Sequence, residues 1–212
     1  MRIVVAGGGV AGAASAIALA HAGADVTVYE AHEDPAGPVG SFLSLAVNGL
    51  RALESLGCLP QVQASGFAVA RQRMWAGNGK LLGDVARGRR PGDPLHSVTL
   101  MRADLVTVLR DAATRAGARI ITGQPLTGAD LRGARADGAD LVVGADGIWS
   151  AARRVVDPAA PEPAYAGLYS VSGVSGGLDG AEPGAWNMIF GRQGAFIYLP
   201  APDGTIWWSA QV

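Results

Sequence analysis

A short apolar run, Arg2-Ile-Val-Val-Ala6, leads directly into Gly7-Gly-Gly-Val-Ala-Gly12, and a segment of small residues, 13–22, follows at once. No other stretch limits the fold as tightly. The run reads as a strand buried on both faces of a parallel sheet, and the small-residue segment as a helix stopping at Gly23, a C′ position. Residues 25–29, Asp-Val-Thr-Val-Tyr, make a second β-branched strand that delivers Glu30 eighteen positions after Gly12. That is close to the ~20-residue interval of the dinucleotide fingerprint G-x-G-x-x-G.

Each residue type has a physical reason. Gly7 permits the tight turn. Gly9 lets a pyrophosphate approach backbone N–H groups at the positive end of the helix, beside Val10 and Ala11, and Gly12 lets the helix press against the sheet. Glu30 accepts from ribose hydroxyls and disfavours a 2′-phosphate, so this site is expected to hold FAD or NAD rather than NADP. Composition agrees with a globular domain: 49% of the 212 residues are apolar, 17% are charged and the net charge is −1, which argues against disorder and against a nucleic-acid surface. No apolar run approaches the roughly 20 residues of a membrane span. The one cysteine, Cys58, cannot form an internal disulfide, and Met1-Arg2 opens onto the first strand without a signal-peptide pattern, so a cytoplasmic location is expected. His21, His32 and His96 lack metal-ligand spacing, and no nucleophile and base are paired, so no metal site and no catalytic side chain is assigned.

Further along, Pro38–Gly57 reads as a glycine-containing loop and a helix with Leu50, Leu53 and Leu56 on one side. Leu100-Met-Arg-Ala-Asp-Leu105 introduces an amphipathic helix ending at Gly117. Residues 140–147, Asp-Leu-Val-Val-Gly-Ala-Asp-Gly, form an apolar strand that carries an acid and a glycine to its carboxyl end, where open α/β sheets bind ligands. Ser150 is placed to cap a short helix bearing Arg153 and Arg154.

Taken in this order, the Gly7–Gly12 turn with Glu30, Arg102 in Arg-Ala-Asp-Leu, and Asp146-Gly147 in Val-Val-Gly-Ala-Asp-Gly-Ile-Trp-Ser resemble the amino-terminal part of the class A flavoprotein monooxygenases, the para-hydroxybenzoate hydroxylase-like aromatic hydroxylases. The resemblance covers roughly residues 1–155. It implies an α/β fold: a Rossmann-like FAD-binding domain (1–66 and 95–157) with an inserted, incomplete β-sheet substrate domain (67–94 and 158–212). It also implies FAD as cofactor, NAD(P)H as co-substrate, and O₂-dependent hydroxylation of a small aromatic molecule. By resemblance, the glycines, Val10, Ala11 and Glu30 hold the ADP half of FAD, Arg102 lies along its phosphate or ribityl portion, and Asp146-Gly147 faces the pyrophosphate and the NAD(P)H route.

The β-rich pieces are a hairpin through Gly77-Asn-Gly-Lys80, a strand at residues 186–190, and a terminal hairpin of residues 195–199 and 205–209. In the family such a sheet roofs the flavin, which offers Met74, Phe190 and Tyr198 as pocket residues and Arg71 and Arg73 as phenolate attractors, although core packing and solvated strand faces are the plainer readings. Between Thr122 and Asp140, glycines at 123, 128, 133 and 138 suggest a short polar connection where the family inserts a β-meander. The final strand, Ile206-Trp207-Trp208, reads as an exposed edge, and the family's later Gly-Asp motif is missing. Both suggest a half-enzyme completed by a partner chain or by self-association, or alternatively a truncated, non-catalytic flavin-binding subunit. A flavin halogenase and a nicotinamide dehydrogenase fit less well: the first lacks its Trp-x-Trp-x-Ile-Pro signature, and the second needs a further βαβ half where hairpins stand.

Overall fold

The computed structural model describes residues 1–34, 42–87, 93–177, 180 and 182–212. The loop expected from Pro38 falls largely outside them. In chain order the elements are β1 (Arg2–Ala6), α1 (Val10–His21), β2 (Asp25–Tyr29), β3 (Phe42–Leu45), α2 (Val47–Ser55), α3 (Leu59–Ala64), β4 (Phe67–Ala68), β5 (Arg71–Ala76), β6 (Leu81–Ala86) and β7 (Val98–Met101). Then follow α4 (Arg102–Arg115), β8 (Arg119–Ile121), α5 (Gly128–Ala136), β9 (Leu141–Gly144), α6 (Ala151–Val156), β10 (Ser170–Ser175), β11 (Ala185–Phe190), β12 (Ala195–Pro200) and β13 (Ile206–Gln211). The chain forms two compact units. The first takes Met1–Val39, Leu56–Cys58 and Ala103–Ala164, and the second takes Gly40–Ser55, Leu59–Arg102 and Tyr165–Val212.

In the first unit, β8, β2, β1 and β9 make a four-stranded parallel sheet in that order. Ile3, Val5, Val26 and Val28 are essentially unexposed, as a parallel sheet covered on its faces requires. The face of α1 that packs is made of Ala13, Ala16 and Ile17, and small side chains let the helix axis come close. The helix stops where expected: Gly23 takes φ +84°, the left-handed conformation that a C′ residue needs. The segment from Thr122 to Asp140 is not the loose connection its glycines suggest, because it contains α5. Thr127 caps that helix by accepting from the Asp130 N–H, and Asp130 accepts in return from the Thr127 N–H at 2.8 Å. This reciprocal cap, together with Leu131 buried against Ala6 and Ala152, outweighs the helix penalty of Gly128 and Gly133.

In the second unit, six strands run β10-β13-β12-β11-β5-β6, and β3, β7 and β4 form a separate small sheet. Both expected hairpins are present, β5–β6 and β12–β13, although β5 starts at Arg71 and Phe67–Ala68 pairs elsewhere. The expectation of an exposed terminal edge is overturned. β13 is paired on both sides, with β12 and with β10. Gly173 on β10 explains the fit, because a Cβ there would lie 2.7 Å from the Trp208 ring. One sheet face carries Trp186, Leu199 and Trp207 in register, packed with Phe42, Val69 and Phe67; the Phe42–Trp186 and Phe67–Trp207 rings meet edge-on at 5.5 and 5.1 Å.

Candidate functional site

The glycine turn at the carboxyl end of β1 is held in place by three contacts that leave no room for side chains. Gly7 sits at φ +99° and donates its N–H to the Tyr29 carbonyl at 2.7 Å; a Cβ on it would lie 2.3 Å from the Ala145 carbonyl oxygen. A Cβ on Gly12 would lie 1.8 Å from the Gly7 carbonyl oxygen. Gly12 therefore lets α1 press against the turn itself as well as toward the sheet. Gly9 is the N-cap of α1 and has no capping side chain, and the first helical turn holds no acid. The N–H groups of Val10, Ala11 and Gly12 thus point out of the helix end with its partial positive charge, the arrangement that accepts a diphosphate.

Glu30 lies beyond the end of β2, 7% exposed. Its two carboxylate oxygens accept from the Gly8 N–H at 2.6 Å and the His32 N–H at 3.0 Å. The acid expected to face a ribose is therefore also the brace of the glycine turn, a long-range bond that spacing alone does not reveal. A carboxylate has lone pairs left for further donors after two such bonds.

The segment after β9 completes this end of the sheet. Ala145 donates its N–H to the Ala6 carbonyl, which brings Asp146 next to Gly7. Asp146 turns its carboxylate onto α6: one oxygen accepts from the Ser150 hydroxyl and the other from the Ala152 N–H at 3.0 Å. Burial works against its charge, but these hydrogen bonds prevail and hold the carboxyl below its usual range. Ser150 in turn accepts from the Arg153 N–H at 2.9 Å, the cap expected from the sequence. The Arg153 guanidinium donates to the Ile148 carbonyl, and Gly147 takes φ +78°. Gly7, Gly9, Val10, Ala11, Gly12, Glu30, Asp146 and Gly147 all belong to the first unit, whereas Arg102, exposed at the start of α4, groups with the second. Burial pushes the Cys58 thiol up, against the pull of Arg115, so it stays protonated. Among the described residues no cluster of three or more His, Cys, Asp or Glu side chains is placed to hold a metal ion, and no helix is long and apolar enough to cross a membrane.

The offered pocket residues separate. Met74 pairs with Met188 and Phe190 with Ala195 on the sheet face of Trp186, while Tyr198 pairs with Asn187 on the other face. Arg71 and Arg73 are held by Asp84 at 2.9 and 3.4 Å, and Arg73 also by Glu182 at 3.3 Å.

A glycine turn without side-chain clearance, an uncapped helix end and a braced acid at the carboxyl edge of a parallel sheet have the form of the dinucleotide-binding α/β domains. Residues 2–78 match the family of FAD dependent oxidoreductases. The chain thus carries an FAD dependent oxidoreductase domain, and it is similar to class A flavoprotein monooxygenases. It is 33% identical over 172 residues to a kynurenine 3-monooxygenase of Salinispora arenicola, covering 72% of this chain and 37% of that protein. It is 34% identical over 180 residues to a 3-amino-4-hydroxybenzoate 2-monooxygenase of Streptomyces cremeus, covering 79% and 44%. Among solved structures, HpxO of Klebsiella pneumoniae complexed with FAD and uric acid superposes with a TM-score of 0.78 at 22% identity, over all of this chain and 56% of that one. CtdE in complex with FAD gives 0.75 at 18% identity, over all of this chain and 58% of that one. The chain thus spans about two fifths of the length of these curated relatives.

Proposed function

We propose that this chain carries the FAD-binding part of a monooxygenase that hydroxylates a small aromatic molecule with NAD(P)H and O₂. The observation that carries the reading is the clearance at Gly12. A helix start pressed so close to the glycine turn that position 12 cannot accept even one methyl group, with no capping side chain in front of it, leaves its backbone N–H groups free to meet an anion directly. In this reading Gly7, Gly9 and Gly12 shape the cradle, the N–H groups of Val10 and Ala11 take the diphosphate, and Glu30 adds a ribose to the two N–H groups it already holds. Asp146-Gly147 borders the cradle as the N-terminal anchor of α6, and Arg102 keeps only the phosphate or ribityl role that the resemblance gives it. Bound there, FAD would supply the redox chemistry, taking electrons from NAD(P)H and activating O₂. The protein's share is to fix the cofactor, position the aromatic ring and keep water out.

The first unit is proposed as the nucleotide-binding domain and the six-stranded sheet of the second as the substrate domain. The substrates named for the two relatives, kynurenine and 3-amino-4-hydroxybenzoate, are aromatic, which supports that class. A cytoplasmic location is part of the proposal, supported by a lone, buried Cys58. Completion by a partner or a second copy loses one of its supports, since β13 is covered within the chain. The test is the visible spectrum of purified protein after incubation with FAD and desalting. Flavin bands that survive in the wild type and vanish in Gly12→Val support the reading, and a colourless wild type refutes it. Oxidation of NAD(P)H on adding an aromatic substrate then separates a working enzyme from a binding subunit.

A further inference from the structure

Within the first unit, α5 and α6 pack on β9 and on each other. Two glycines bring them there. A Cβ on Gly144, at the end of β9, would lie 2.4 Å from the Ala152 Cβ, so α6 rests directly on the strand. A Cβ on Gly128, at the start of α5, would lie 3.4 Å from Val155 Cγ2 and 3.5 Å from Arg132 Nη1, which puts an apolar side chain and a guanidinium at one spot. Leu131 and Ala152, buried against Ala6, close the floor. Among these elements the structure leaves a cavity of about 690 Å³, within the roughly 300–1,000 Å³ of small-molecule pockets.

The cavity wall is divided by chemistry. Val142, Val155 and Val156 give it aliphatic surface, and Val156 is 86% exposed, an apolar side chain left open to water. Arg132 and Arg135 on α5 and Arg153 on α6 supply three guanidinium groups. None of the three has a carboxylate partner among the described residues, whereas the neighbouring Arg154 is paired with Glu162 at 3.0 Å. Arg153 gives one donor to the Ile148 carbonyl and has others left. Asp157 is the one acid on the lining among the described residues, and it accepts from the Ala159 N–H at 2.9 Å.

Helix polarity explains part of this pattern. Arg135 and Arg153 stand in the last turns of their helices, where a cation offsets the negative carboxyl end. Arg132 does not. It stands three residues from Arg135, a spacing at which like charges repel, and an anion lying between the two would remove that cost. A guanidinium fork matches the two oxygens of a carboxylate. Among the described residues no aromatic side chain lines the cavity, so a flat ring finds nothing to stack on, while an alkyl chain would cover the valines.

We infer that this cavity is a binding site for an aliphatic carboxylic acid, its carboxylate on Arg132, Arg135 and Arg153 and its chain along Val142, Val155 and Val156. The inference stands apart from the function proposed above, since it uses neither the glycine turn nor Glu30.

The experiment is calorimetric titration of the full chain, with FAD present, using octanoate, 1-octanol and acetate as probes. It compares the wild type with the double variant Arg132→Gln, Arg135→Gln and with Val156→Glu. All three substituted positions are exposed, so the variants should keep the wild-type Tm. The expected result is saturable octanoate binding by the wild type, at least tenfold tighter than 1-octanol or acetate and weaker at higher salt. Each variant should bind octanoate at least tenfold more weakly with FAD affinity unchanged; should one fail to fold, the other decides. Absence of saturable octanoate binding by the wild type overturns the inference, and so does wild-type affinity in a folded variant. Equal binding of 1-octanol, which would make the cavity merely apolar, or of acetate, which would make it a plain anion site, also overturns it. Self-association of the wild type that Val156→Glu abolishes, without octanoate binding, has the same force, because the face is then a contact between copies. A chain that binds octanoate but no FAD supports this inference and refutes the proposed function.

Discussion

Replacing Gly12 by alanine adds one methyl group, and the structure says where it goes: 1.8 Å from the Gly7 carbonyl oxygen and 2.9 Å from its carbonyl carbon. Both are backbone atoms, so no side chain can swing aside. Ordinary contact is near 3.5 Å, which means α1 and the turn must separate by on the order of 1.5 Å. Overpacking of this kind costs about 1–3 kcal/mol in stability. The same displacement pulls the helix N–H groups away from the diphosphate. Losing one charge-assisted hydrogen bond costs about 1.5–3 kcal/mol, or roughly a 10- to 150-fold rise in Kd. The assay is FAD titration followed by flavin fluorescence, with thermal unfolding measured on the same samples. Gly23→Ala is the control: unlike the helical Gly12 it sits at positive φ, at +84°, but nothing lies within 4 Å of its Cβ, so it should lower stability by about 1 kcal/mol and leave FAD affinity alone. If Gly12→Ala binds FAD within threefold of wild type at unchanged stability, the clearance argument is wrong.

Three further outcomes follow from contacts described above. Asp146 has a lowered pKa, so its contribution to stability is complete above the ordinary carboxylate pKa of about 4 and is lost as pH falls through the lower folded value; Asp146→Asn should flatten the acid limb of a Tm-against-pH curve, and an unchanged slope would count against its role on α6. Arg87 lies with its guanidinium 3.8 Å above the Trp186 ring but has a buried Nη1 with no acceptor among the described residues, so Arg87→Met, which keeps the stem and removes that donor, should leave Tm unchanged or raise it; a clear drop would show that the cation–ring attraction dominates. Thr127→Ala removes the cap of α5 and should cost about 1 kcal/mol, seen as a Tm lowered by roughly 2–4 °C.

What the sequence makes legible follows the range over which each signal acts. The β1 turn, α1 and Glu30 form one local unit whose glycines, apolar runs and spacing all agree, so its shape can be read before any tertiary contact is known. The strand β10 cannot. Ser170-Val-Ser-Gly-Val-Ser175 has the composition of a loop, and it becomes a strand because Gly173 makes room for Trp208, 35 residues later. Helix α5 lies between these cases: Gly128 and Gly133 hide it, whereas Thr127 and Asp130, three apart, carry the capping pattern that discloses it. In the nucleotide site, Gly7 and Gly12 announce a turn, but that Glu30 braces Gly8 and that Asp146 binds α6 are matters of side-chain direction. Spacing does not encode direction. Arg102, drawn toward the cofactor by resemblance, stands at the start of α4 with an exposed side chain that names no partner of its own.

The wall behind Gly7 is the carbonyl of Ala145, and β9 reaches β1 only across some 140 intervening residues. During synthesis the glycine turn therefore leaves the ribosome well before β9 and stays unbacked until the chain has grown through residue 145. Closing so long a loop is slow compared with forming the α1 turn locally. Nascent chains arrested before Leu141 should be unable to retain nucleotide although they already contain the whole fingerprint, and competence should appear abruptly once β9 can dock.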